Sequence, residues 1–258
     1  MRLVRFLPTS GHSATPLCGV LTGEDIEVVT EGSYLSGSPQ RTGGTFRLPD
    51  VTLLAPCAPT KVVAVGLNYR AHADEFGEAA PAKPKLFMKP STAVIGPEQP
   101  IGYPPSAAQV DYEAELAVVI GKTLHGGGRE AVAAAVAGYT CLNDVTARDL
   151  QKLDGQWTRA KSFDTFCPLG PWIETDLDPT DVPVSSRLNG EPRQSSTTAL
   201  MIVPPLPLVE FIAGVMTLLP GDVVATGTPE GVGPMQPGDV VEVEVGGVGV
   251  LRNTVSGE

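Results

Sequence analysis

Two glutamates one residue apart, Glu113 and Glu115, lie in a segment (residues 110–120) that has the composition of a buried β-strand. Side chains alternate along a strand, so both carboxylates face the same side. On one face of a core strand they repel each other and resist desolvation unless a cation neutralises them. A bound divalent cation would do so, and an all-oxygen site favours Mg²⁺, Mn²⁺ or Ca²⁺. The alternative is an edge strand with a solvated acidic face.

Asp144 offers a third carboxylate. The Ala-rich stretch 129–138 is expected to form a helix, and 139–142 a short apolar strand that delivers Asp144 at its end. With a second helix beginning near Asp144, Arg148 and Gln151 fall four and seven residues later on the same helical face. The pattern predicts a site with a carboxylate, a guanidinium and an amide. The alternative is an exposed helix whose N-cap Asp pairs with Arg148.

Several longer motifs have the order and spacing of one enzyme family. They are Glu113-x-Glu115, Leu142–Gln151, Gly155–Asp164, Gly66–His72, Phe87–Ser91 and Leu219–Pro229. Over roughly residues 60–252 the chain resembles the fumarylacetoacetate hydrolase family. Within it, the chain is most similar to short bacterial members described as oxaloacetate decarboxylases, acylpyruvate hydrolases and 2-hydroxyhepta-2,4-diene-1,7-dioate isomerases. The resemblance implies an α+β fold with a mixed, β-roll-like catalytic domain, in which Glu113, Glu115 and Asp144 bind Mg²⁺ or Mn²⁺.

The same resemblance suggests roles for the cationic and polar residues around that metal. A 2-oxo acid chelated by the cation gains an accessible enolate, because positive charge stabilises the keto oxygen as it becomes negative. Lys161 would lie as a fixed ammonium beside the enolate oxygen, and Thr228 would bind the substrate carboxylate. The alternatives are structural salt bridges and a tight turn. The expected substrate-binding residues are Tyr69, Lys89, Arg148, Gln151 and Thr228.

His72 and Glu75 stand three positions apart, a spacing that permits a hydrogen bond on one helical turn. A carboxylate fixes the tautomer of an imidazole and raises its basicity, so the pair is expected to activate water. The alternative is a solvated loop histidine. The pair opens a polar segment, 72–84, that is either a mobile lid or an ordinary surface loop. The family's acidic ligand seven residues before this histidine is Val65 here, which predicts three protein ligands plus waters.

Composition narrows the classes of partner. The net charge of −11 and the pI near 4.7 argue against nucleic acid and anionic membranes as partners. No apolar run is long enough to span a membrane, so a cytoplasmic location is expected. The four cysteines lack C-x-x-C spacing, which weakens zinc and disulfide interpretations.

The chain is expected to divide into a small β-rich N-terminal domain (1–55) and a metal-dependent catalytic domain (60–258). Family analogy adds a homodimer. The predicted activity is cleavage of a C–C bond in a 2-oxo acid through an enolate, by acylpyruvate-type hydrolysis or oxaloacetate-type decarboxylation. The alternative on the same scaffold is an isomerase or hydratase of unsaturated 2-oxo dicarboxylates. A catalytically silent metal-binding or assembly protein is a third hypothesis, disfavoured by the presence of all the expected catalytic residues.

Overall fold

Strands dominate the computed structural model, which describes residues 1–9, 15–75, 77 and 79–257. The strands are β1 (Arg2–Pro8), β2 (Leu17–Thr22), β3 (Asp25–Val29), β4 (Arg41–Arg47), β5 (Val51–Leu53), β6 (Lys61–Gly66), β7 (Lys85–Pro90), β8 (Val94–Ile95), β9 (Ile101–Tyr103), β10 (Val110–Tyr112), β11 (Ala114–Ile120), β12 (Val136–Asn143), β13 (Thr146–Ala147), β14 (Cys167–Glu174), β15 (Pro183–Leu188), β16 (Glu191–Thr197), β17 (Val223–Ala225), β18 (Gly233–Met235), β19 (Val240–Val245) and β20 (Gly249–Gly257).

Helices are short and lie between strands. The α-helices are α1 (Arg70–Glu75), α2 (Arg129–Ala135), α3 (Arg148–Asp154), α4 (Thr158–Lys161) and α5 (Pro205–Ala213), and single 3₁₀ turns occupy Glu31–Ser33, Leu48–Asp50, Ser91–Ala93 and Thr198–Leu200. None of the helices in the described residues is long and apolar enough to cross a membrane. The expected α+β class is confirmed.

A large mixed sheet forms the centre of the molecule, with the order β4-β3-β2-β1-β14-β12-β11-β17-β6-β7. Its middle strands are runs of valine, leucine and alanine that are buried on both faces, as in β11 and β17. The N-terminal strands belong to the same sheet, because β1 pairs antiparallel with β14. The segment before residue 56 is therefore joined to the rest of the chain by backbone hydrogen bonds as well as by its linker.

Two smaller sheets complete the fold, with the orders β13-β10-β18 and β16-β15-β19-β20-β9. Strands β19 and β20 pair antiparallel as a hairpin, with Gly246 and Gly247 in the turn between them. The chain contains a second Glu-x-Glu pair on β19, Glu242 and Glu244, which lies at the surface with both side chains paired to Arg187.

Three local expectations were wrong. The segment 110–120 is two strands, because Glu113 lies at a break where the chain leaves the three-stranded sheet and enters the large one. The Ala-rich helix ends at Ala135, and Gly138 lies inside β12, where a Cβ atom would be 2.5 Å from the carbonyl oxygen of Glu174. No helix begins at Asp144: β13 intervenes, so the helix starts at Arg148.

Candidate metal centre and active site

Three buried carboxylates converge at one point in the structure. Ligand oxygens of Glu113, Glu115 and Asp144 all lie within 4.8 Å of one another. Glu113 occupies the break between β10 and β11, Glu115 is the second residue of β11, and Asp144 follows the last residue of the neighbouring strand β12. Pairing of β11 with β12 brings the Glu-x-Glu pair next to Asp144, so the three carboxylates predicted as metal ligands lie together.

Backbone hydrogen bonds fix the relative position of the two chain segments. The backbone N–H of Asp144 donates to the carbonyl oxygen of Glu113 at 2.9 Å, and that of Glu113 donates to Oδ1 of Asn143 at 2.9 Å. The Thr146 hydroxyl donates to the carbonyl oxygen of Asp144, and a second contact joins it to Oε1 of Glu113 at 3.0 Å. Continued strand pairing in β13, rather than a helix, places Thr146 there.

Three cationic side chains surround two of the carboxylates. Nζ of Lys161 donates to Oε2 of Glu113 at 2.8 Å and to Oδ2 of Asp144 at 2.7 Å. Arg148 donates to Oε1 of Glu113 at 2.6 Å, and Lys89 donates to the other oxygen of Asp144, Oδ1. Among the described contacts, Glu115 instead accepts the backbone N–H of Gly227 at 2.8 Å.

These surroundings shift the pKa values of Glu113 and Glu115 in opposite directions. Burial alone would raise the pKa of Glu113, but the charges of Lys161 and Arg148 outweigh it and hold the pKa below its ordinary value. Burial, together with the charges of Asp144 and Glu113, raises the pKa of Glu115 well above its ordinary value. For Lys161, burial would lower the pKa, but Asp144 and Glu113 outweigh it, so the net shift is upward.

The residues present fit a hard divalent cation. All three donors are carboxylate oxygens, the ligand type that Mg²⁺ and Mn²⁺ prefer. Glu115 has no cationic side chain bonded to it in the described part of the chain, so a divalent cation would be the positive charge that stabilises this carboxylate in its ionised form. Val65 lines the same cleft, which agrees with three protein ligands rather than four.

His72 and Glu75 both lie on α1, where their side chains are in contact, as their spacing of three residues predicted. Nδ1 of His72 lies 3.2 Å from Oε2 of Glu75, while Oε1 of Glu75 accepts the backbone N–H of Gly231 at 3.2 Å. A carboxylate only accepts, so Nδ1 carries the hydrogen and Nε2 is left as the basic nitrogen. His72 is buried and lines the same cleft as the carboxylates. The pair therefore has the geometry of a base held in one tautomer.

The loop Thr226–Thr228 closes another side of the cleft. Gly227 has a φ of +94°, and a Cβ atom there would lie 2.7 Å from Cβ of Asn68, so this turn requires glycine. The amide of Asn68 holds the loop by donating to the carbonyl oxygen of Thr226 at 2.7 Å. Thr228 lines the cleft, as expected of a residue that binds substrate.

Sequence reasoning assigned no role to the apolar walls of this cleft. Phe87 and Trp157 meet edge to face with their ring centroids 5.2 Å apart, and both line the cleft. Gly66 gives the tryptophan room, because a Cβ atom there would lie 2.4 Å from its ring. Both aromatic residues lie inside motifs quoted above, which is the one signal that would have found them.

Most of the expected site residues lie together around one cleft, whereas Tyr69 and Lys89 do not line it. The cleft is lined by His72, Glu113, Glu115, Asp144, Arg148, Gln151, Lys161 and Thr228. Lys89 and Tyr69, both expected to bind substrate, are almost fully buried and are not among the lining residues. Lys89 contacts Asp144 and the carbonyl oxygen of Val145, so its contacts are those of a residue that holds a carboxylate in place.

Arg148 and Gln151 share a face of α3 at a spacing of three residues. Nη1 of Arg148 donates to Oε1 of Gln151 at 2.7 Å, and Nε donates to Oδ2 of the buried Asp111 at 2.7 Å. The guanidinium is thus bonded to Glu113, Asp111 and Gln151 at once. Asp111, like Phe87 and Trp157, is a residue to which sequence reasoning assigned no role.

Sequence models of two families match the chain. The one described as "Fumarylacetoacetate (FAA) hydrolase C-terminal" matches residues 61–256, and the one described as "Rv2993c-like, N-terminal" matches residues 1–56. The first match spans well over half of the chain. The chain belongs to the fumarylacetoacetate hydrolase family, as the motifs indicated.

Known proteins are similar to this chain over most or all of its length. Protein Rv2993c of Mycobacterium tuberculosis is 46% identical over 99% of this chain and 98% of its own. The oxaloacetate tautomerase YcgM of Escherichia coli is 46% identical over 73% of this chain and 89% of its own. The crystal structure of a 5-carboxymethyl-2-hydroxymuconate delta-isomerase from Mycobacterium smegmatis superposes with a TM-score of 0.92, at 46% identity and complete coverage of both chains. The two relatives with named activities are enzymes.

Proposed function

We propose that this chain is a Mg²⁺- or Mn²⁺-dependent enzyme that forms and reprotonates the enol or enolate of a 2-oxo dicarboxylate, with keto–enol tautomerisation or double-bond isomerisation as the reaction. The observation that carries the proposal is the buried carboxylate triad, bridged by Lys161 and facing the same cleft as His72. The names of the E. coli and M. smegmatis relatives support the reaction class, because both reactions move a proton next to a carbonyl.

When bound to Glu113, Glu115 and Asp144, the divalent cation would supply Lewis-acid stabilisation of negative charge on the keto oxygen of the substrate. Lys161 adds a second positive charge at the same place. It is held by two carboxylates in a buried site, where electrostatic stabilisation is stronger than in water and needs no reorganisation during the reaction.

His72 moves the proton. Its Nε2 takes a proton from the carbon next to the keto group, while Glu75 holds Nδ1 and stabilises the imidazolium that results. The same imidazolium then returns the proton, to oxygen in tautomerisation or to another carbon of the chain in isomerisation. No atom is gained or lost by the substrate.

Thr228 and the amide nitrogen of Gln151 supply the remaining polar groups of the cleft. The Gln151 oxygen already accepts from Arg148, so its NH₂ group is the part available to a substrate oxygen. Arg148 itself acts on Glu113, because three of its nitrogens are engaged by protein acceptors. Phe87 and Trp157 exclude water from the apolar side of the cleft.

Cleavage of a C–C bond is the second candidate, as acylpyruvate hydrolysis or oxaloacetate decarboxylation. The His72–Glu75 pair favours it, because a base held by a carboxylate also activates water. Both C–C cleavages release the enolate of pyruvate, whereas tautomerisation and isomerisation pass through the enolate of the intact substrate; the cation and Lys161 would stabilise either one. The two candidates therefore share the enolate-stabilising groups. They differ in whether the electron pair comes from a C–H bond or from a C–C bond.

One substrate panel tests both candidates. Purified protein would be given the enol form of oxaloacetate, keto oxaloacetate, acetylpyruvate, fumarylpyruvate and 2-oxohept-3-ene-1,7-dioate, each with Mg²⁺ or Mn²⁺ and again with EDTA. Reactions with the metal alone correct for uncatalysed enolisation. We expect metal-dependent loss of the enol absorbance of oxaloacetate. Pyruvate release from the acylpyruvates without enol turnover would favour the second candidate, and no turnover in the whole panel would contradict the proposal.

We also propose a homodimer, in line with the family resemblance. Met88 lies on β7, an edge strand of the large sheet, and is 52% exposed, which supports burial of this edge by a second copy. Light scattering at micromolar concentration should give about twice the chain mass of 26.9 kDa, and a value equal to the chain mass would contradict it.

A further inference from the structure

Gln194 reaches the cleft from outside the large sheet. It lies on β16, in the five-stranded sheet, and is 2% exposed. Its Oε1 lies 3.0 Å from the backbone nitrogen of Ala114 and 3.0 Å from the hydroxyl of Ser186. Its Nε2 lies 2.8 Å from Oγ1 of Thr228 and 2.9 Å from the carbonyl oxygen of Pro229. The amide is thus saturated by four partners.

Two of these partners decide which way the amide points. The backbone N–H of Ala114 only donates, so the atom facing it must be the amide oxygen. The carbonyl of Pro229 only accepts, so the atom facing it must be the amide NH₂. A flipped amide would set donor against donor and acceptor against acceptor. The NH₂ group therefore faces Thr228.

This orientation decides which part of the Thr228 hydroxyl faces Gln194 and which part is left for the cleft. Its hydroxyl oxygen accepts from Gln194, and no acceptor for the hydroxyl hydrogen is recorded among the described residues. Thr228 lines the cleft that contains the carboxylate triad. The hydroxyl therefore presents a hydrogen to that cleft, and the complementary group is one that only accepts, such as a carboxylate oxygen.

The other end of the amide is tied to the carboxylate strand. Ala114 stands between Glu113 and Glu115, and its N–H is the donor to Gln194. The Gln194 side chain thus links the backbone between two of the triad residues to the Thr228 hydroxyl across the cleft. Gln194 itself lies 80 positions after Ala114 in the sequence. Both the polarity of Thr228 and its position relative to the triad depend on this link.

We infer that Gln194 is a positioning residue that fixes Thr228 as a hydrogen-bond donor to a substrate carboxylate. The inference rests on the proposed function, which supplies the carboxylate. It predicts a specificity: 2-oxo acids with a free carboxylate at this position are preferred over their amides, because a carboxylate accepts a charge-assisted hydrogen bond through either oxygen, whereas an amide offers a single neutral oxygen.

Gln194→Glu is the test, because it keeps the shape and replaces the NH₂ donor by a carboxylate oxygen. The Thr228 hydroxyl then donates to the new carboxylate and turns its lone pairs to the substrate. We expect the KM for oxaloacetate, and the Kd of oxalate measured by calorimetry with Mn²⁺, to rise about tenfold or more, the effect of losing a hydrogen bond to a charged group. The kcat should change by less than about threefold, since the enolate-stabilising groups are untouched.

A double-mutant cycle separates action through Thr228 from a general effect. Thr228→Val removes the hydroxyl and keeps the shape, so it should raise KM by itself, and adding Gln194→Glu should then raise it by less than about threefold. Two controls should leave KM within about twofold. Ser186→Ala removes another partner of Gln194 without touching Thr228, and Gln236→Glu makes the same exchange at an exposed position.

KM and Kd do not depend on the fraction of folded protein. If Gln194 contributed only to the stability of the fold, its replacement would therefore leave both constants unchanged. If Gln194→Glu does not fold, Gln194→Met removes the donor without adding charge and is judged by the same criterion. A wild-type KM in the folded variant, or an equal rise in the Thr228→Val background, would overturn the inference. Wild-type protein that binds oxalate but turns over no 2-oxo acid would contradict the proposed function instead, while the calorimetric test of Gln194 would remain valid.

Discussion

Nζ of Lys161, in the last turn of α4, lies 2.7 Å from Oδ2 of Asp144, which follows the end of a core strand. Both groups are buried, and the same ammonium also bonds Glu113. The ammonium is held between Glu113 and Asp144 before any substrate arrives. A charge arranged in advance is the property expected of a group that stabilises an enolate.

Replacement of Lys161 should separate catalysis from metal binding. Lys161→Met removes the charge and keeps most of the volume, so we expect turnover of oxaloacetate to fall at least about 100-fold. The three carboxylates remain, so Mn²⁺ titration followed by electron paramagnetic resonance should still show a bound ion. Full activity in this variant would remove Lys161 from the mechanism.

Removal of a carboxylate should abolish metal binding and turnover together. Asp144→Asn and Glu115→Gln each take one charge from the triad. In wild-type protein, Mn²⁺ at about 100 times its Kd should stabilise the fold by about 2.7 kcal/mol. This stabilisation is measured as an increase in melting temperature on addition of Mn²⁺, and both variants should lose most of that increase. Glu242→Gln is the matched control, since it alters a Glu-x-Glu pair that lies at the surface against Arg187. Unchanged Mn²⁺ affinity in both triad variants would move the metal elsewhere.

Replacement of His72 should affect the reactions unequally. His72→Ala should lower tautomerisation and acylpyruvate hydrolysis by about 10²–10⁴-fold, because both need a base. Decarboxylation of oxaloacetate should fall less, since it requires only stabilisation of the enolate. Metal affinity should be unchanged. His125→Ala, at an exposed turn, should be neutral. If no reaction changed in His72→Ala, His72 and Glu75 would have no catalytic role and would be ordinary residues of α1.

Asp222 should make the fold sensitive to acid. Burial would raise the pKa of this carboxyl, but hydrogen bonds from Lys61, Thr60 and the backbone N–H of Leu219 outweigh it and hold the pKa below its ordinary value. Its contribution to stability is therefore complete above the pKa of the unfolded chain, and it is lost as the pH falls through the lower pKa of the folded protein.

Urea unfolding at several pH values tests this. Asp222→Asn should lower the free energy of unfolding at pH 7 by about 2 kcal/mol, because it weakens several buried hydrogen bonds. The difference from wild type should shrink towards pH 3. Asp50→Asn, an exposed aspartate, is the control. A difference that stayed constant with pH would mean that the charge of Asp222 does not contribute.

Local patterns predicted the regular parts of the fold well. The apolar run 139–142 lies within strand β12, and the Ala-rich stretch from residue 129 begins helix α2, as predicted. The boundary at Asp144 was predicted wrongly, because the pattern of residues 144–151 is compatible with a helix from its first residue. Pairing of β13 with β10 keeps the first part extended, and nothing local to Asp144 reports that pairing.

The sequence by itself determined which chemistry is possible: it contains the three carboxylates, Lys161 and the His72–Glu75 spacing, and the motifs around them identify the family. Only the tertiary structure decided which of these groups touch. It placed Lys89 behind Asp144, joined Arg148 to Asp111, and brought Gln194 to Thr228 from a different sheet. Such contacts link residues from 34 to 55 positions apart. They depend on the pairing and packing of whole strands, whereas sequence periodicity reports only the face on which each residue lies.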